Sequence, residues 1–223
     1  MNETIPLALK KPSGAGKERV FQTLNSELTH LPLGGHEGQK FTLKIDNPLK
    51  KADGTPAEPL YFVVKELIEK SEPELEQLSR AYRILQDKGY PVPLTVRSFQ
   101  REGKNYLAAS DMTEGGKYWI WGFNDDASPE EADELRAMQL SAVEVAELKS
   151  QVAKIADQAV RDTLNMDGYW YHIRKNKETG KVDVVILDIY PNFLFLKYMV
   201  AADSPKQVKL FESNLDEALQ EVS

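Results

Sequence analysis

The chain has 223 residues, 41% of them hydrophobic and 28% charged, with a formal net charge of -7 and no cysteine. That length and balance fit a soluble globular protein of one large domain or two small lobes, not a disordered chain. Lack of cysteine removes disulfides, thiolate metal sites and a cysteine nucleophile, and the acidic balance argues against a nucleic-acid partner.

The first sixty residues are rich in turn signals: Pro12-Ser13-Gly14, Gly34-Gly35, Asp46-Asn47-Pro48 and Asp53-Gly54. Gly14-Ala15-Gly16-Lys17 lacks the first glycine of a P-loop, and Glu18 stands where a hydroxyl would reach magnesium, so it reads as a flexible turn. Phe41–Ile45 alternates and Leu60–Val64 is a short apolar run ending at Lys65, which predicts two strands joined by a long hairpin loop. Ser71-Glu72-Pro73-Glu74 is a capping box opening a helix to about Lys88, with Leu75, Leu78, Tyr82 and Leu85 on one face. Gly89 stops it, and Pro91 and Pro93 prevent a restart. Strands near Leu94–Phe99 and Tyr106–Ala109 follow, around a turn at Glu102-Gly103. Residues 1–110 thus read as several strands with one helix.

Beyond Thr113-Glu114-Gly115-Gly116 the pattern turns helical. Ser128-Pro129-Glu130-Glu131 and Ser141-Ala142-Val143-Glu144 are two more capping boxes, so the stretch to Leu164 reads as two helices, with Leu148, Val152, Ile155 and Ala159 as a buried stripe. A hairpin of Tyr171–Arg174 and Val182–Leu187 comes next, turning around Glu178-Thr179-Gly180. The tail from Asn192 reads as helix in two pieces, broken at Ser204-Pro205.

Five segments carry chemistry. Tyr61-Phe62-Val63-Val64-Lys65 puts an ammonium at the end of an apolar strand. In the following helix, at about 100° per residue, Glu74 lies nearer the apolar face than Glu76 does. Leu107–Gly116 leaves a strand through Ser110, Asp111, Met112 and Thr113 into paired glycines. Asn165-Met166-Asp167 is followed five residues after the aspartate by His172. Val184–Leu187 ends at Asp188.

In that order and at those separations, residues 60 to 190 resemble a protein kinase. The resemblance implies an α+β, two-lobed protein-kinase-like fold, with a sheet-rich N-lobe (1–112) and a reduced, mainly helical C-lobe (113–223). It implies that Lys65 reaches the ATP phosphates and that Glu74 holds the lysine. Ser110 becomes the gatekeeper, with Asp111 and Thr113 beside the adenine. Gly34, Gly35 and Gly38 make the phosphate-covering loop, Asp167 orients the acceptor hydroxyl, and Asp188 binds the metal. The implied cofactors are ATP and Mg2+, with Mn2+ as an alternative. Lys65, Asp167 and Asp188 are then expected to converge on one cleft.

Departures are plain as well. His172 occupies the place of a metal-binding asparagine, and imidazole favours softer metals than a hard amide oxygen does. Tyr190 stands where kinases often have glycine. The short stretch after Asp188 leaves little room for an activation segment and peptide-docking helices, as in the minimal kinase-like effectors that some bacteria deliver into host cells. The two open readings of function are an ATP-dependent phosphotransferase and a pseudokinase acting as a protein-binding module. A third is an unrelated α+β interaction module. Tyr118–Phe123 and Tyr169–Tyr171 are aromatic clusters of the kind that pack a core or dock a protein partner. No apolar run nears the roughly 20 residues that span a bilayer, and Met1–Lys11 has too short an apolar core for a secretory signal. The expected compartment is therefore the cytoplasm, of its own cell or, for a secreted effector, of a host.

Overall fold

The computed structural model describes residues 14–30, 40–67, 72–94, 96–122, 129–189 and 204–220. The architecture is α+β, with two antiparallel sheets and, among the described residues, five α-helices. The chain divides into two compact units, Met1–Glu72 with Leu94–Asp111, and Pro73–Pro93 with Met112–Ser223.

The first unit begins with α1 (Gly14–His30). Its sheet is built from β1 (Lys40–Ile45), β2 (Leu60–Glu66), β3 (Val96–Arg101) and β4 (Lys104–Ser110), in the order β1-β2-β4-β3. The expectation of a single helix before residue 110 is corrected here, because Gly14–Lys17 is the opening of α1 and not a flexible turn. Apolar residues recur every fourth position as Val20, Leu24 and Leu28, and all three are buried. They join Ile45, Phe62, Val64, Tyr106 and Ala108 in one core. With most other α1 positions polar, that stripe is narrow, which is why turn signals dominate a reading of the segment.

The strands stand where alternation puts them. β1 and β2 pair antiparallel from Lys40↔Lys65 to Ile45↔Leu60, and the long connection folds back on itself through a Lys50↔Pro56 bridge. β3 and β4 meet across Glu102 (φ 52°) and Gly103 (φ 75°), two consecutive left-handed residues as a tight two-residue hairpin demands.

The second unit starts with α2 (Glu72–Asp87). Leu78, Tyr82 and Leu85 are buried as the helical spacing predicts, whereas the Leu75 and Glu74 side chains lie outside the described residues. Gly89 ends the helix at φ 82°. β5 (Tyr118–Gly122), α3 (Pro129–Ala137) and α4 (Ala142–Asp162) follow. Ser141 caps α4 in a full capping box with Glu144. Its buried stripe is Leu148, Val152, Ala156 and Ala159, with Ile155 only half-buried at the stripe's edge. β6 (Tyr171–Asn176) and β7 (Val182–Ile186) form the predicted hairpin, and β5 pairs with β6 to complete a three-stranded sheet. α5 (Ser204–Gln220) packs against α4 and buries Phe211 and Leu215. The other half of the expected C-terminal helix pair lies outside the described residues. No helix among them is long and apolar enough to cross a membrane.

Candidate functional site

The end of the β6–β7 hairpin is built from the exit of α4 onward. Thr163 takes the left-handed conformation (φ 57°) and closes the helix by donating its N–H to the carbonyls of Ala159 and Val160. The chain then sinks through buried Leu164, Asn165 and Met166 to Asp167. Asp167 is extended (φ -87°, ψ 140°) and caps a single 3-10 turn, Gly168–Trp170, its Oδ1 accepting from the Tyr169 N–H at 3.1 Å. The Gly168 N–H donates to Gln207 Oε1 of α5 at 2.7 Å. Burial pushes the Tyr171 phenol up, and the nearby Asp167 charge adds to it.

The Trp170 carbonyl closes the hairpin. It accepts from the Leu187 N–H at 3.0 Å and lies 3.1 Å from His172 Nδ1. A carbonyl only accepts, so Nδ1 carries a proton in this contact. Nε2 stands 4.0 Å from Asp188 Oδ2. Anchoring one ring nitrogen on a backbone carbonyl so that the other is presented is how metal-binding histidines are oriented. The His172 side chain is 14% exposed and that of Asp188 63%, so the pair opens toward solvent on the carboxylate side.

Two further contacts hold this pair. Gly122 of β5 stands directly across from His172, and a Cβ there would overlap the imidazole. Asp188 adopts φ 49°, uncommon for a residue with a side chain. Tyr82 on α2 has its hydroxyl beside the backbone of Asp188 and Ile189. The Tyr82 phenol is pushed up, first by burial and then by the Asp188 charge. Gly122, Tyr82 and Gln207 were not singled out from sequence, because each acts across a pairing that no local pattern announces.

No protein-family model matches the chain, and no curated protein matches it. Among solved structures, the chain is similar to the crystal structure of a Helicobacter pylori proinflammatory kinase, CtkA, at 13% identity and a TM-score of 0.43 over 85% of this chain. The chain spans 65% of that kinase's length. At that score the likeness is a weak one.

In the first unit, Lys65 stands on β2 opposite Lys40 of β1 and Leu107 of β4. Phe62 and Val64 point into the core with α1, so by alternation Lys65 is on the other face. The strand positions of that face carry Lys40, Lys44 and Lys65 and no carboxylate. Lys44 also lies over the Tyr61 ring, 5.9 Å from its centroid. Like charges directly across a ladder repel. Ser110 ends β4 opposite Phe62, and the Asp111 N–H donates to the Tyr61 carbonyl at 2.8 Å.

The remaining predicted residues fall in different situations. Thr113, in the second unit, accepts from Gly116 and Tyr118 through its carbonyl, so this carbonyl is engaged within the turn. Glu114, Gly115 and Gly116 all have positive φ there, and Arg174 reaches back over the Tyr118 ring at 4.3 Å. Glu76 of α2 is exposed. Gly34, Gly35 and Gly38 lie outside the described residues, as does the Glu74 side chain. Among the described residues no group of three or more His, Asp and Glu could hold a metal, so His172 and Asp188 stand as a pair. Of the aromatic clusters, Trp121, Trp170 and Tyr171 are core residues, while Trp119 is exposed beside Lys177.

Proposed function

We propose that the chain is a kinase-like phosphotransferase that moves the γ-phosphate of ATP to the hydroxyl of a protein or small molecule. The observation that carries this is the hairpin end: the Asp167 turn, His172 and Asp188 are tied together through the Trp170 carbonyl. Phosphoryl transfer asks of a protein chiefly positioning and charge, with a carboxylate for the acceptor proton and ligands for a divalent ion. Asp167 takes the first role: the acceptor oxygen bonds to the γ-phosphorus, its proton passes to the carboxylate, and ADP leaves. Asp188 and His172 take the second, with nucleotide phosphates and water completing the ion's shell. Lys65, near the end of β2, binds the phosphates, and Glu74 orients it. One oxygen and one imidazole nitrogen suit Mn2+ better than Mg2+, which wants hard oxygen ligands.

The same histidine favours a second reading, a pseudokinase that keeps the fold for binding a protein and transfers nothing. A melting-temperature titration with ATP, alone and with Mg2+ or Mn2+, tests both, since a ligand bound to the native state must raise the transition. The expected result is a rise of several degrees that is larger with Mn2+ and absent in Asp188→Ala. Phosphate transfer lost in Asp167→Ala, with the ATP shift retained, separates the enzyme from the pseudokinase. No shift with any nucleotide and either metal overturns the phosphotransferase reading and leaves a pseudokinase with an empty cleft or an unrelated α+β module.

A further inference from the structure

Gly168 follows Asp167 directly, and its environment is unusually closed. Its N–H donates to Gln207 Oε1 at 2.7 Å. A Cβ added to it would lie 3.0 Å from the Gln207 carbonyl oxygen, 3.0 Å from Gln207 Oε1 and 3.1 Å from Leu210 Cδ2. One face of α5 is therefore close against the turn, and a Cβ there would require α5 to give by a few tenths of an ångström. Three residues on, Tyr171 meets Phe211 of α5 edge-on at 6.0 Å, both of them buried.

The amide in question belongs to the peptide plane that Asp167 begins. Fixing that plane fixes the ψ of Asp167, hence the direction in which its carboxylate leaves the backbone. Gly168 is buried, so its N–H has no ready exchange of Gln207 for water, and losing the acceptor leaves an orphaned donor. Asp167 Oδ1 is already on the Tyr169 N–H. The carboxylate is thus held from within its own turn and, through the peptide, from α5.

We infer that Gln207 is a positioning residue: through the Gly168 amide, α5 sets the orientation of the Asp167 carboxylate. This rests on the phosphotransferase reading for what Asp167 does, but the clamp itself stands on the contacts above. Positioning of this kind acts on the transition state more than on nucleotide binding, and an ångström of misplacement costs on the order of 100-fold in rate.

The test uses the full chain with Gln207→Leu, which keeps bulk and loses the acceptor, and Gln207→Glu, which keeps an oxygen acceptor. Gln207 lies in the first turn of α5, where a negative charge is tolerated well. Asp216→Asn, which weakens the 2.7 Å ion pair of α5 with Lys149, controls for general loosening of the helix. Two quantities are read: amide hydrogen exchange at Gly168 by NMR, and kcat and KM for ATP in phosphate transfer. Gln207→Leu is expected to speed Gly168 exchange at least tenfold and to lower kcat at least tenfold, with KM for ATP within twofold. Gln207→Glu is expected to restore both, and Asp216→Asn to change neither by more than twofold. Unchanged Gly168 exchange in Gln207→Leu overturns the inference, as does an equal loss in Asp216→Asn. If the wild-type chain transfers no phosphate, the phosphotransferase reading falls and the exchange rates alone decide. Acceleration confined to the turn then supports the clamp, and none overturns it.

Discussion

His172 is accommodated by a residue that is not there: Gly122 lacks the Cβ that would run into the imidazole from the neighbouring strand. Gly122→Ala should therefore push the ring off the Trp170 carbonyl or splay β5 from β6, at about 1–3 kcal/mol, the usual range for overpacking. His172→Ala in the same chain should recover most of that loss, because the clash goes with the ring. Urea unfolding of the two single variants and the double variant measures it, and additive losses would show that the two residues do not meet. Tyr82 is a second such support. Tyr82→Phe removes a buried hydroxyl beside the backbone of Asp188 and Ile189. The expected cost is about 1–3 kcal/mol, with weaker Mn2+ binding where Asp188 is the ligand. Of these residues, sequence singled out His172, through its fixed spacing from Asp167. Tyr82 is visible only as one apolar-face position among four, and Gly122 only as a position inside the aromatic run Tyr118–Phe123.

Elements whose stabilising contacts are local were the legible ones. The capping box at Ser141, the stop at Gly89, the alternation of β1 and the short apolar run of β2 each write their signal within a few residues. α1 escaped because its buried stripe is one residue in four among polar neighbours. β5 escaped because Tyr118–Trp121 reads as a sticky cluster until its ladder with β6 is known. The Ser141 box also shows how a local signal acquires a distant partner. Glu144 Oε2 accepts from the Ser141 N–H at 2.7 Å, and Oε1 lies 2.8 Å from Lys175 Nζ of β6. The Lys175 hydrogen bond first, then the Ser141 backbone, draw the Glu144 carboxyl down from 4.5 to about 2. A depressed folded-state value means stability that is fully present above pH 4.5 and is lost as pH falls from 4.5 toward 2. With the side chain partly solvated, the effect is about 1–2 kcal/mol. Glu144→Gln should be less stable than wild type at pH 7 and converge on it at the acid end. Equal stability at pH 7 would mean the pair contributes nothing.

Across the whole molecule, the residues singled out for chemistry fall on two units. One offers a lysine-bearing sheet face, the other a carboxylate and imidazole pair beside the Asp167 turn. The order of Lys65, Asp167 and Asp188 along the chain was legible because each ends or precedes a strand. What their side chains do to a ligand was not, since order in sequence carries no distance. Functional coupling supplies that distance. Lys65→Met and Asp188→Asn are each expected to lower ATP affinity in the presence of Mn2+ by about tenfold, near 1.4 kcal/mol. If the ammonium and the ion act on the same triphosphate, the double variant should lose clearly less than the roughly hundredfold that independent effects would give. Calorimetric titration of the two single variants and the double variant reads the difference. A full hundredfold loss would assign Lys65 and Asp188 to separate events. Loss from Asp188→Asn alone would leave the lysine face without a part in nucleotide binding.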